Sequence, residues 1–242
     1  MVDTTTKTYY CEVLQAEDTR AMEETAQIIS DVFTGCYVGE RYIDEPMITA
    51  LGVSNENFKN FNMNFLRHTV SQGLTIIAKD AVTGSVIGAT MNEDFNPYEE
   101  IPNLEGEDAP YLKLYEFLVD LDAMFLNRIK EVHGEDAKMG EYVHLFLVGI
   151  KAEHGKAAIL TELIELAEQV AKDKGYRGLF AEATNYKSQR VLRDNCGYVL
   201  PEYEGKPVAL SYTGYETFSH IPEEISMDCQ ILYKPTEPKY AL

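Results

Sequence analysis

Tyr142-Val-His-Leu-Phe-Leu-Val-Gly-Ile150 runs directly into Lys151-Ala-Glu-His-Gly-Lys-Ala157, after which Ile159, Leu163, Leu166 and Val170 recur at helical spacing. Residues 142–150 are almost continuously apolar, as a strand buried on both faces should be. The helix that follows ends at Gly175, and residues 178–183 read as the next strand. Strand, helix and strand in that order make a crossover, which joins parallel strands. At the first turn of this unit, small residues let the backbone approach a ligand, and the free N–H groups opening the helix favour phosphate. The turn is therefore a candidate cradle for a diphosphate. It is neither a GxxxxGK[ST] phosphate loop nor a GxGxxG dinucleotide turn.

Working outward, residues 8–14 predict a first strand, and Met22, Ala26, Ile29 and Phe33 predict an amphipathic helix. A second helix is expected over about 56–70, and residues 74–78 and 85–91 make a hairpin around Thr83-Gly84. Residues 92–110 hold seven acids, no base, two internal prolines and a glycine, which predicts an exposed acidic loop. A long helix follows over about 111–132, with Leu114, Leu118, Leu121, Phe125 and Ile129 on one face. A short helix at 186–195 closes at Gly197, and residues 227–233 are the last strand. The expected class is α/β, a sheet built around one parallel crossover, and no repeat or linker divides residues 1–242 into more than one domain.

The chain of 242 residues is 45% apolar and 25% charged, which excludes a disordered or collagen-like protein. Its formal charge of −19 argues against a general nucleic-acid or anionic-membrane partner. The charge is uneven: residues 151–193 hold eight bases and six acids, a net +2, leaving −21 for the rest. Such a segment is either a docking place for a polyanionic ligand or, as charge alone favours, a solvated helix face. Cys11, Cys36, Cys196 and Cys229 form no CxxC pair, and the N-terminus carries no signal-peptide pattern, so reduced thiols in a cytoplasmic protein are expected. No apolar run approaches the roughly 20 residues of a membrane span. Five scattered histidines without HExxH spacing suggest no metal site.

The whole arrangement resembles the GNAT superfamily of acetyl-coenzyme A-dependent N-acetyltransferases. Gly155-Lys-Ala157 fits the second half of that family's [Q/R]xxGx[G/A] loop, with Ala152 where Gln or Arg is usual. Thr184-Asn185-Tyr-Lys-Ser188-Gln-Arg190-Val-Leu followed by Cys196-Gly197-Tyr198 looks like its N-x-x-S-x-R-V-L…G-[F/Y] helix. Asp44-Glu45-Pro46-Met47 with Ala50-Leu51-Gly52-Val53 resembles the DEPL…ALG segment of the insect-type arylalkylamine acetyltransferases. The resemblance implies the GNAT fold, a mixed twisted sheet splayed around an acetyl-coenzyme A site, with residues 92–110 and 111–132 as insertions. It implies acetyl transfer to a small-molecule primary amine, most plausibly an arylalkylamine, by a monomer or homodimer. A polyamine, an aminoglycoside, a protein amine, or acyl-coenzyme A binding without catalysis stay open beside it.

An ammonium group cannot attack a thioester until it loses a proton, so such an enzyme needs a general base. By resemblance that base is Glu45, its direction fixed by Pro46; the structural alternative is a helix cap or a residue on a solvated turn. His144 is a second candidate, because imidazole titrates near neutral pH and lies early in the central strand. Ser188, helped by Thr184, is the candidate acid for the departing thiolate; their structural alternatives are packing and helix capping. Backbone of Val148, Gly149 and Ile150 would hold the pantetheine arm, Gly155, Lys156, Ala157 and Ala158 the pyrophosphate, and Asn185, Lys187 and Arg190 the nucleotide end. Tyr111, Tyr115 and Phe125 are candidates for an aromatic amine pocket.

Overall fold

The computed structural model describes residues 8–242 apart from 39, 155 and 156. Strands β1 (Tyr9–Val13), β2 (Ile76–Asp80), β3 (Val86–Asp94), β4 (Tyr142–Ile150), β5 (Gly178–Ala183), β6 (Ala209–Ser211) and β7 (Asp228–Pro235) form one sheet in the order β1-β2-β3-β4-β5-β7-β6. Neighbours are antiparallel except β4 and β5, the parallel pair joined by the crossover. The helices are α1 (Thr19–Thr34), α2 (Pro46–Leu51), α3 (Asn55–Thr69), α4 (Tyr111–His133), α5 (Ala157–Asp173) and α6 (Tyr186–Asp194). Among the described residues no helix is long and apolar enough to cross a membrane.

Helix α5 covers one face of the sheet, its Ile159, Leu163 and Ile164 packing with Ile76, Val143, Leu145 and Leu179. Helices α1, α3 and α4 cover the other, where Ile29, Leu66, Phe117 and Phe125 pack with Ile77, Met91, Tyr142 and Phe180. The alternation along β4 changes phase once. Its pairing with β3 slips between Met91–Leu147 and Asn92–Leu145, so Phe146 is the extra residue of a bulge. Tyr142 and Leu147 consequently share the α1 and α4 core, whereas Val143, Leu145, Val148 and Ile150 belong to the α5 side.

Gly178 explains why the start of β5 carries no side chain: a Cβ there would overlap the ring of buried Tyr233. Gly178→Ala should destabilise the protein by about 2 kcal/mol, the usual cost of overpacking, measurable by denaturant unfolding. The sequence reading differs from the structure in several places, among them residues 36–43, where Cys36–Val38 and Arg41–Ile43 pair as a small hairpin. β3 continues through Asp94, so the first residues of the acidic segment are strand, paired to β4. Helix α2 was not expected, because six residues are too few to show a 3.6-residue period. The chain beyond Tyr198 contributes β6 and the buried rings of Tyr212 and Phe218, which residue spacing did not reveal.

Candidate active site

β4 and β5 pair only at Tyr142–Gly178, Val143–Leu179 and His144–Phe180. Beyond that point the Phe146 bulge bends β4, which stays with β3 as far as Ile150, while β5 stays with β7 as far as Ala183. The strands part, and a cleft of about 400 Å3 opens between Leu145–Val148 on one side and Ala181–Ala183 on the other. On that side the backbone of β4 has no strand partner among the described residues past His144. An extended amide-bearing arm would fit there as an added strand.

Of the residues expected to hold coenzyme A, Val148 lines this cleft. Gly149 has a packing reason as well, since a Cβ there would stand 2.9 Å from Ile29 Cδ1 and 3.6 Å from Ile29 Cα, so α1 rests on it. Ile150 packs over Gly88. Ala157 and Ala158 are exposed at the first residues of α5, where the backbone N–H groups of a helix have no intrahelical acceptor; Gly155 and Lys156 lie outside the described residues. Asn185 and Lys187 line the cleft, but Arg190 does not: it is exposed and pairs with Asp194 at 3.4 Å.

Glu45 forms part of the opposite wall. Its backbone N–H donates to the Phe33 carbonyl, and Pro46 sets the first turn of α2, which ends at Gly52 in the left-handed conformation. Glu45 is the N-cap of that helix, its Oε2 accepting from the Ile48 N–H at 2.6 Å. Its Oε1 is buried. Burial pushes the carboxyl above its ordinary pKa, opposed by the Thr184 hydroxyl and by the N–H groups of Ile48 and Met47. A carboxylate with one oxygen anchored by a backbone N–H and the Thr184 hydroxyl beside it, raised above its ordinary pKa by burial, has the character of a general base.

Thr184, Asn185 and Ser188 enter the same cleft from the end of β5. Asn185, not Thr184, is the N-cap of α6: its Oδ1 accepts from the N–H groups of Lys187 and Ser188, each at 3.0 Å. Ser188 completes a capping box, accepting from the Asn185 N–H at 3.3 Å and donating to the Asn185 carbonyl at 2.9 Å. The Thr184 carbonyl accepts from the Tyr212 hydroxyl at 2.6 Å, which ties this turn to the late segment of the chain.

His144 sits at the fork of the strands but faces a second cavity, of about 210 Å3. Its Nδ1 lies 3.0 Å from Glu93 Oε1 and its Nε2 2.6 Å from Glu182 Oε2, with the ring stacked on Phe180 at 5.0 Å. Burial disfavours its charged form, yet Glu182 and Glu93 outweigh burial and hold the imidazole well above its ordinary pKa. Burial likewise raises Glu182, and the His144 charge overrides it, so the carboxyl falls below its ordinary value. His144 thus lies between two carboxylates, and the buried Asp122 carboxyl, raised well above its ordinary pKa by burial and by the Glu182 charge, hydrogen-bonds to Glu182. Glu93, Asp122 and Glu182 were not anticipated from the sequence, although an acid inside the apolar run Gly-Leu-Phe-Ala-Glu-Ala was a visible signal. Of the three aromatic candidates, Tyr111 and Phe125 are fully buried core and only Tyr115 reaches a cavity.

The sheet splits between its two parallel strands, and the buried acid Glu45 lines the cleft so formed. No family model and no curated protein matches the sequence. Among solved structures, arylalkylamine N-acetyltransferase 2 from Aedes aegypti superimposes with a TM-score of 0.71 at 18% identity, over 96% of this chain and 100% of that one. The polyamine N-acetyltransferase of Drosophila melanogaster, described as forming N-acetylagmatine, gives 0.61 at 16% identity over 94% and 99%. The C-terminal condensation domain of Ebony, bound to β-alanyl-dopamine, gives 0.66 at 17% identity over 94% and 98%. The chain has the GNAT fold, in the form seen in the insect arylalkylamine acetyltransferases.

Proposed function

We propose that the chain transfers an acetyl group from acetyl-coenzyme A to a primary amine, an arylalkylamine foremost, by direct attack in a ternary complex. The observation that carries this reading is that Glu45 and the Thr184–Ser188 turn line one cleft at the point where β4 and β5 part. Glu45 takes a proton from the ammonium, directly or through water. The free amine nitrogen forms a C–N bond to the acetyl carbonyl carbon, and the C–S bond breaks. The departing sulfur takes its proton from Ser188, with Thr184 beside it, and Ser188 regains one from the nitrogen, which gives up its second proton as the amide forms. Lys187, Asn185 and the start of α5 would meet the anionic end of coenzyme A, within the segment whose charge is positive. No nucleic acid or membrane enters this scheme, and the chain would work in the cytoplasm as a monomer or homodimer.

Ser188→Ala should lower kcat about tenfold with little change in KM for either substrate, because the hydroxyl acts after the amine has bound. The same substitution should cost about 1 kcal/mol through loss of the capping box. Equal kcat values for the two chains in a steady-state thiol-release assay would remove Ser188 from proton transfer and leave it a helix cap. The substrate class is tested by thiol release across arylalkylamines, spermidine, an aminoglycoside and a peptide at saturating acetyl-coenzyme A. Highest kcat/KM among the arylalkylamines is expected; activity confined to spermidine or peptides would overturn the arylalkylamine assignment.

A further inference from the structure

β5 leaves the ladder at Ala183, the last of its residues paired with β7, opposite Gln230. The peptide of Thr184 therefore lies outside the sheet, and other groups have to set its orientation. Two buried side chains do so. Gln189 Nε2 donates to the Ala183 carbonyl at 3.2 Å, and the Tyr212 hydroxyl donates to the Thr184 carbonyl at 2.6 Å. Gln189 belongs to α6 and moves with the turn that it steadies. Tyr212 comes from a separate part of the chain, the short 3-10 turn Tyr212–Gly214 that follows β6.

Tyr212 is itself firmly seated. Its N–H donates to the Met227 carbonyl at 3.2 Å, and its ring packs against Phe117 and Phe218 at 5.7 and 6.3 Å. The side chain is buried and is not among the residues lining the cleft, so any part it has in the reaction passes through Thr184. Thr184 does line the cleft, and its hydroxyl opposes the upward shift of the Glu45 carboxyl. A β-branched side chain has few rotamers, so fixing the Thr184 peptide also fixes where its hydroxyl points. The other titratable groups that act on Glu45 are Asp44, Tyr212 and Cys229. Burial foremost raises the Tyr212 phenol and the Cys229 thiol well above their ordinary values, so both keep their protons at neutral pH. Tyr212 is therefore a constant donor to Thr184 and not a second titrating group.

We propose that Tyr212 is a positioning residue for acetyl transfer: its hydroxyl holds the Thr184 carbonyl at the end of β5 so that the Thr184 hydroxyl stays against Glu45. The inference rests on the amine-acetyltransferase reading with Glu45 as base, and gives the late segment of the chain a part in it.

The test measures kcat/KM against pH with one amine in every chain, beside coenzyme A affinity by calorimetry and Tm. Tyr212→Phe keeps the ring and leaves the Thr184 carbonyl without its donor. It should lower kcat at neutral pH by about three- to tenfold and move the ascending limb to higher pH, with coenzyme A affinity kept. Thr184→Val, which removes the hydroxyl and keeps the shape, should move the limb in the same direction, and adding Tyr212→Phe to it should move the limb no further. Tyr215→Phe serves as the control for loosening of the segment, because it removes the 2.6 Å bond to Asp120 on α4 without touching Thr184. It should leave the limb in place.

A Tyr212→Phe chain with a lowered Tm but an unmoved limb would make Tyr212 a packing residue and overturn the proposal while leaving the acetyltransferase reading intact. So would equal limb shifts in Tyr212→Phe and Tyr215→Phe, or a full further shift on the Thr184→Val background. Should Tyr212→Phe fail to fold, Thr184→Val decides, and a limb that stays in place refutes the route from Tyr212 to Glu45. A wild type that binds coenzyme A but acetylates no amine overturns both readings.

Discussion

Glu45→Gln should lower kcat at neutral pH by about 100-fold or more, the lower end of what a general base supplies, with coenzyme A affinity unchanged. Glutamine keeps an oxygen for the Ile48 N–H, so the cap on α2 survives and the loss reports chemistry and not folding. Because burial raises the Glu45 carboxyl, the ionised form that accepts a proton gains population only above the ordinary carboxylate range. The kcat/KM profile should therefore climb with pH on a limb displaced upward from an exposed glutamate, and the variant should lack that limb. Stability should move in the opposite sense. A carboxyl raised in the folded state contributes stability fully present below its unfolded pKa and lost as pH rises through the folded value. Glu45→Gln avoids that loss, so at neutral pH its Tm should equal or exceed that of the wild type. Unchanged turnover would show Glu45 to be a helix cap only.

His144→Ala should cost about 3–5 kcal/mol at neutral pH, because it strips the counter-ion from a buried Glu182 and removes the ring stacked on Phe180. The pH dependence identifies the cause. His144 has a folded pKa well above the ordinary imidazole value, so its contribution is complete below about pH 6.5, the unfolded imidazole pKa, and is lost as pH rises through the folded value. Denaturant unfolding should accordingly show the wild type losing its advantage over His144→Ala in the alkaline range. A difference between the chains that stays constant with pH would mean that His144 stabilises the fork by packing alone.

The crossover was legible because its signals are local: residues 142–150 and 178–183 are the strands β4 and β5 with those very limits. The cleft between them was not. It arises from a bulge at Phe146 and from the competing pull of β3 and β7, which depend on partners more than 40 residues away along the chain. Glu45 could be located through a resembling segment, and the helix cap held open beside the base role is present, anchoring one of its oxygens at the start of α2. Thr184 was a reasonable N-cap by residue type, yet Asn185, one position later, holds both free N–H groups. The Glu93–His144–Glu182 cluster joins residues 51 and 38 positions apart in sequence. Only the pairing of β3 with β4 and of β4 with β5 brings them together. The charge pattern is sharpened in the same way. Of the seven acids in residues 92–110, Glu93, Glu99 and Glu100 line the second cavity, and the rest lie elsewhere on the segment.

Acetyl-coenzyme A labelled with carbon-13 in its acetyl group, incubated with the purified chain and the preferred amine, tests acetyl transfer most directly. Mass spectrometry should find the labelled acetyl group on the amine nitrogen, one per coenzyme A thiol released, and no acetylated protein in the absence of amine. Bound coenzyme A with no labelled amide, or thiol release without transfer to nitrogen, would contradict an amine acetyltransferase built on Glu45 and the fork of β4 and β5.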